Sequence, residues 1–146
     1  MREVLIILKK KIFALKGSPE QIARGFALGS FIGMMPIPGL QVFVSLGLAT
    51  CIGVNKKAAC LAVFNTNLFT GAFIFAFNYW LGKTILGVSP DFVFPDKIGT
   101  DFIYVMASSG ENIFSSLLTG GCITGICSAW ISYHLVLLWF QKKTYR

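Results

Sequence analysis

The sequence predicts an all-α integral membrane protein. It reads as an N-terminal amphipathic helix, a broken helical hairpin that enters and leaves the bilayer on one side, and two transmembrane helices joined by an extracytoplasmic loop. Three observations lead there. Charged residues are only 13% of the chain while hydrophobic ones are 55%, against roughly a quarter charged in soluble domains. The apolar residues form long runs with basic residues at their ends, the pattern of cytoplasmic membrane flanks. The longest N-terminal run is interrupted by Met34-Met35-Pro36-Ile37-Pro38-Gly39, which no helix passes through intact.

Residues 1–16 carry Leu5, Leu8, Ile12 and Leu15 at three- and four-residue spacing, with Lys9, Lys10 and Lys16 off that stripe. A basic amphipathic helix beside a membrane segment is expected to lie in the interface. The apolar run Val4 to Leu8 is too short for a signal h-region, and Lys9-Lys10-Lys11 follows it directly, so no signal peptide is read here. Gly17 ends this helix. In Ser18-Pro19-Glu20-Gln21, Ser18 is an N-cap, Pro19 fits the first helical position and Gln21 completes a capping box.

From Ile22 to Val54 the chain is apolar save for Arg24 and Gln41. Pro36, Pro38 and Gly39 break it, because each proline removes a backbone donor and disfavours helical geometry in the residue before it. The arms, 22–35 and 39–54, reach roughly 20–24 Å at about 1.5 Å per residue, short of a hydrocarbon core of about 30 Å. They form either one kinked span or a hairpin over 19–54.

Charge separates these alternatives. Apolar segments follow at 58–81 and 113–140, separated by an acidic stretch 82–112 and followed by a basic tail 141–146. With a hairpin, Arg2, Lys9, Lys10, Lys11, Lys16, Arg24, Lys56, Lys57, Lys142, Lys143 and Arg146 share one side, and only Lys83 and Lys97 lie opposite. With a full crossing the division is eight against five. The excess of Lys and Arg on the cytoplasmic side selects the hairpin. Both termini are then cytoplasmic, 58–81 and 113–140 are transmembrane, and 82–112 is the external loop. Basic residues at segment ends do not make a nucleic-acid stripe, so the net charge of +7 is read as membrane-facing: the expected partner is membrane lipid, and no nucleic acid.

Non-helical backbone at membrane depth survives only where protein or water covers it. Two spans offer little cover, so a homo-oligomer or an obligate partner is expected. Gly25, Gly29 and Gly33 recur every four residues, as do Gly121 and Gly125 with Ala129; such spacing marks helix-packing faces.

The break is the candidate site. Its second arm starts at Gly39, Leu40 and Gln41 with free N–H groups and the positive dipole end, which suit an anion. The first arm ends in carbonyls, which suit a cation or a donor. A polar space shared with Asn67 and Thr70 is one reading; a buried kink capped by side chains of the next helix is the other. Asn65, Asn67 and Asn78 in one apolar segment read as helix-bridging amides, and Arg24 as a phosphate-facing or topology-setting cation. Cys51, Cys60, Cys122 and Cys127 form no Cys-x-x-Cys pair and read as small buried hydrophobes. His134 has no local partner. No metal or cofactor is expected. With no acid pair, triad or phosphate-cradling loop, and Glu111 placed to cap a helix with Ser108, the chain is not read as an enzyme.

The run from Ser18 to Gln41, together with Asn55, Asn67-Leu68-Phe69-Thr70 and Gly82, resembles a bacterial membrane family catalogued as domain of unknown function 2062. The resemblance covers about residues 12–140. Its members place proline after the asparagine where this chain has Leu68. Some relatives are joined to glycosyltransferase-containing proteins, so the resemblance implies the bacterial inner membrane and an envelope glycosyltransferase as a partner. The function expected is transport or transbilayer handling of an anionic or lipid-phosphate substrate. The alternatives are a non-transporting anchor for such an enzyme and an oligomeric ion channel.

Overall fold

A computed structural model describes Leu15 and residues 17–64, 68–87 and 111–144. The expected interfacial helix, most of the external loop, Asn65, Asn67 and the last two residues of the tail lie outside these. The described chain is all-α, with helices α1 (Pro19–Gly33), α2 (Gln41–Ile52), α3 (Lys56–Val63), α4 (Leu68–Leu86) and α5 (Glu111–Thr144).

Helix α1 starts where its capping box requires. The Gln21 N–H donates to Ser18 Oγ at 3.2 Å, and the Ser18 N–H donates back to Gln21 Oε1 at 3.4 Å, so two donors without helical partners are met. It ends at Met34, wider of the prolines than expected, because helical geometry is disfavoured before Pro36. Two tight turns then reverse the chain, with Ile37 N–H bonded to Met35 O and Leu40 N–H to Ile37 O. Gly39 takes a left-handed φ of 86°, open to glycine at little cost. Helix α2 therefore begins at Gln41 and not at Gly39. It ends at Gly53, also left-handed, the usual close of a helix.

The hairpin returns to its starting end. The Asn55 N–H donates to Gln21 O at 3.2 Å, and Asn55 Oδ1 caps α3 by accepting from Ala58 N–H at 2.9 Å. Helix α3 runs parallel to α1: Gly25 lies on Asn55 and Ala58, and Gly29 on Ala59 and Ala62. Both α1 and α4 run antiparallel to α5. Ile22 and Ala23 pack with Ala58 and Val136 at one end, Gly121 faces Met34 further along α5, and Gly82 meets Ser116 towards the other end. Phe75, Tyr79 and Leu117 make a second core there.

Two expectations are corrected. Segment 58–81 is not one helix: α3 stops at Val63 with Phe64 as its C-cap, and α4 starts at Leu68. No proline marks this break, so hydropathy alone reads through it. The last helix extends past 113–140, to 111–144. Its Asn112–Gln141 stretch is long and apolar enough to cross a membrane, and it is the one such helix among the described residues. At about 1.5 Å per residue the whole of α5 is about 51 Å long, more than a bilayer's hydrocarbon core needs. Large side chains stand exposed along it, among them Ile126, Trp130, Leu135 and Leu138.

Candidate functional site

A helix that stops abruptly leaves carbonyls without partners. Here Gly33 O, Met34 O and Met35 O, the last of which also accepts from Ile37 N–H, are each met by a side-chain amide. Gln41 Nε2 donates to Gly33 O at 3.3 Å and to Met35 O at 3.1 Å. Asn78 Nδ2, from α4, donates to Met34 O between them at 3.0 Å. The other face of the Asn78 amide is also used, since the Thr124 hydroxyl donates to Asn78 Oδ1 at 2.8 Å. Asn78 is fully buried and Gln41 is buried. One amide from the returning arm and one from α4 thus close the end of α1.

Glycines on α5 make room for this junction. A Cβ on Gly121 would come within 2.9 Å of Met34 O, and one on Gly120 would overlap the Asn78 carbonyl. Nearer the start of α1, the Ser30 and Ser132 hydroxyls bond to each other at 2.7 Å. Four helices are therefore joined by hydrogen bonds inside an apolar bundle, where an unmet polar group is costly.

The residues singled out by sequence divide accordingly. Gln41 turns inward to its own chain's carbonyls, so those oxygens are already engaged and do not present an open cation site. Gly39 and Leu40 are exposed, nothing stands within 4 Å of the position a Gly39 Cβ would take, and α2 has no side-chain N-cap. Thr70 is exposed on α4 and Arg24 on α1; Asn67 lies outside the described residues. The α4 side chain that reaches the break is Asn78, read from sequence as a bridging amide whose partner, a carbonyl 44 residues away, no local pattern reveals. The glycines Gly25, Gly29, Gly121 and Gly125 all lie against neighbouring helices of the same chain, and Gly33 is buried.

The cysteines depart from expectation. Cys51 and Cys127 are exposed and Cys60 and Cys122 partly so, because they stand on the outward sides of helices whose inward stripes are glycine, alanine and serine. His134 is exposed on α5, and its ring meets Trp130 at 4.7 Å and Tyr133 at 5.5 Å edge-on. Among the described residues no group of three His, Cys, Asp or Glu is placed to hold a metal ion.

The bundle has two concavities of note. A small one at the end shared by α1 and α3 is lined by Gln21, Gly53, Asn55, Lys56 and Lys57. A larger open groove of about 910 Å³ runs along α5 between α1 and α4. Neither a curated protein nor a solved structure matches the chain. The family described as "Uncharacterized protein conserved in bacteria (DUF2062)" matches over residues 4–146. That match takes in nearly the whole chain, and the protein belongs to this bacterial family.

Proposed function

We propose that the protein is a multi-pass component of the bacterial inner membrane that handles an anionic lipid-phosphate substrate from the cytoplasmic leaflet. In this reading α1 and α2 form a re-entrant hairpin, α3 and α4 together make one broken crossing, and α5 makes the return. The observation that carries it is the tie between Asn55 N–H and Gln21 O. It brings the two open ends of the hairpin together at the C-terminal end of α5, where Arg24, Lys56 and Lys57 are exposed and where the sequence continues into Lys142 and Lys143. Clustered basic residues at one membrane face attract anionic lipid. The amide-capped break gives the hairpin a fixed tip that needs no ion to satisfy it, which favours lipid handling over an ion channel.

The test is topological and then functional. Single cysteines at Lys56 and Ser89, in a background without the four native cysteines, should label from opposite sides of the membrane. Labelling of both from the periplasm overturns the hairpin. Proteoliposomes should then accelerate transbilayer movement of a fluorescent phosphatidylglycerol; no acceleration removes the transport step.

One observation favours a second reading, a non-transporting partner of an envelope glycosyltransferase. The outer face of α2 bears Phe43, Leu46, Leu48 and Ile52, all exposed, with α1 and α3 covering only its other face. Stable co-purification with such an enzyme, without lipid movement, would establish it.

A further inference from the structure

The groove along α5 has a feature that its composition alone does not suggest: two of its three hydroxyls, those of Thr124 and Ser132 but not that of Ser128, are already bonded within the bundle. Phe26 from α1 and Phe77 from α4 form its walls, and Ile131, Leu135 and Trp139 line α5 between them. The Ser132 hydroxyl in this groove is bonded to Ser30, and the Thr124 hydroxyl to Asn78. An occupant therefore finds an apolar surface with few donors or acceptors to answer a polar group. Hydrocarbon fits it; a sugar or a free phosphate does not.

We infer that the groove holds an acyl chain of an anionic glycerophospholipid, with the headgroup at the basic end of α5. The inference rests on the membrane reading above and deepens it by assigning the place where the lipid sits. Length supports it. From Ile123 to Trp139 the α5 floor runs about 24 Å, while one leaflet takes about half of a core of about 30 Å; a chain lies in the groove for its full length. Charge supports it as well. Lys142 and Lys143 follow Trp139 by three and four residues in the sequence. Lys56 and Lys57 stand exposed at the same end of the bundle. Tryptophan at that depth marks the boundary between chains and headgroups. An anionic head placed there is matched by cations, and its chain by the groove.

Photo-crosslinking tests this with the full chain reconstituted in phosphatidylcholine vesicles containing a phosphatidylglycerol with a diazirine on its acyl chain. Label should concentrate between Ile131 and Trp139 and on Phe26, and Cys127→Trp, which fills the groove without touching the Ser132 or Thr124 hydrogen bonds, should reduce it at least tenfold. The paired change Lys142→Gln with Lys143→Gln should keep the chain site but lower the preference for phosphatidylglycerol over phosphatidylcholine, by about fivefold per lysine. Label confined to α2, or label in the groove unchanged by Cys127→Trp, overturns the site. So does a groove that is occupied by a second copy, seen as cross-linked dimers in place of lipid adducts. Should Cys127→Trp fail to fold, the map of label on the unsubstituted protein decides alone. Extraction by alkaline carbonate separates the two levels: a chain released from the membrane defeats the membrane reading, whereas a retained chain labelled elsewhere defeats only the groove.

Discussion

The two arms of the hairpin are similar in length and both apolar, but their surroundings differ. Helix α1 buries seven of its 15 residues, against α3 on one side and α5 on the other. Helix α2 buries three of 12, Gln41, Ser45 and Ala49, and Phe43 on its outer face is 72% exposed. The cause lies in residue size. Gly25 and Gly29 in α1 face Ala58, Ala59 and Ala62 in α3, so the two backbones come close. Helix α2 offers one narrow stripe at four-residue spacing, with the large side chains of Phe43, Leu46, Leu48 and Ile52 turned away from it. One arm is thus the axis of the bundle, and the other lies against it with an apolar face turned outward, as a lipid-facing or partner-facing helix would.

The largest difference between the arms should appear at their glycines. Gly29→Leu places side-chain atoms where the Ala59 carbonyl already sits and should abolish folded protein, read as loss of the monodisperse peak in mild detergent. Gly47→Leu, in α2, meets open space and should leave that peak and the melting temperature intact or slightly raised, since glycine inside a helix costs about 0.5–1 kcal/mol relative to alanine. Equal sensitivity at both positions would mean that α2 is as tightly packed as α1, for instance within an oligomer. Because the Gly25 and Gly29 face is filled by α3 of the same chain, any oligomer must form through another surface.

Next in size is the junction that α1 shares with α4 and α5. Asn78→Leu leaves Met34 O without its bond, at about 1–3 kcal/mol for a buried group so orphaned, while the Thr124 hydroxyl keeps the Gly120 carbonyl at 3.0 Å within its own helix. A lowered melting temperature should follow, and Asn78→Leu combined with Thr124→Val should cost less than the two changes added, because they break the same bond. Simple additivity would show that the Thr124 bond carries no weight. Gln41→Leu should cost less than Asn78→Leu, near 1 kcal/mol, since Gln41 stands next to the exposed Gly39 and Leu40 where other groups can reach the carbonyls. It acts first on stability, and any loss of function should track the loss of folded protein. A stable Gln41→Leu protein without function would instead assign Gln41 a ligand.

Much of this was legible in the sequence, and the failures have physical causes. Ser18-Pro19-Glu20-Gln21 located the start of α1 because capping is local chemistry, and the prolines located the break for the same reason. Gln41 and Asn78 stood out as amides in apolar surroundings, but which carbonyls they serve depends on how helices pack, and the expected neighbours of the break were Asn67 and Thr70. The gap between α3 and α4 was hidden because Phe64 and Leu68 are as apolar as a continuous helix would have, and no proline stands there. Composition predicts buried cysteines, whereas their exposure depends on which stripe of each helix is the smaller.

The smallest effect tests whether α2's inner stripe is built for packing or for polarity. Ser45 lies between Gln41 and Ala49 on that stripe, is fully buried, and its Oγ has no hydrogen-bond partner among the described residues. A buried hydroxyl without a partner contributes nothing that a methyl group would not, and it carries the cost of lost solvation. Ser45→Ala should therefore be neutral or slightly stabilising, within about 0.5 kcal/mol, with melting temperature as the readout. Ser45→Val should be harmful, because the stripe lies against α1 and α3, and added methyl groups overpack a close contact. If Ser45→Ala instead destabilises the protein by as much as Gln41→Leu does, the hydroxyl has a bonding partner, and α2 is held to the bundle by polarity along its whole inner face. If both Ser45 variants are silent, α2 is free to shift on α1 and α3, and its single firm attachment is the Gln41 amide at the break.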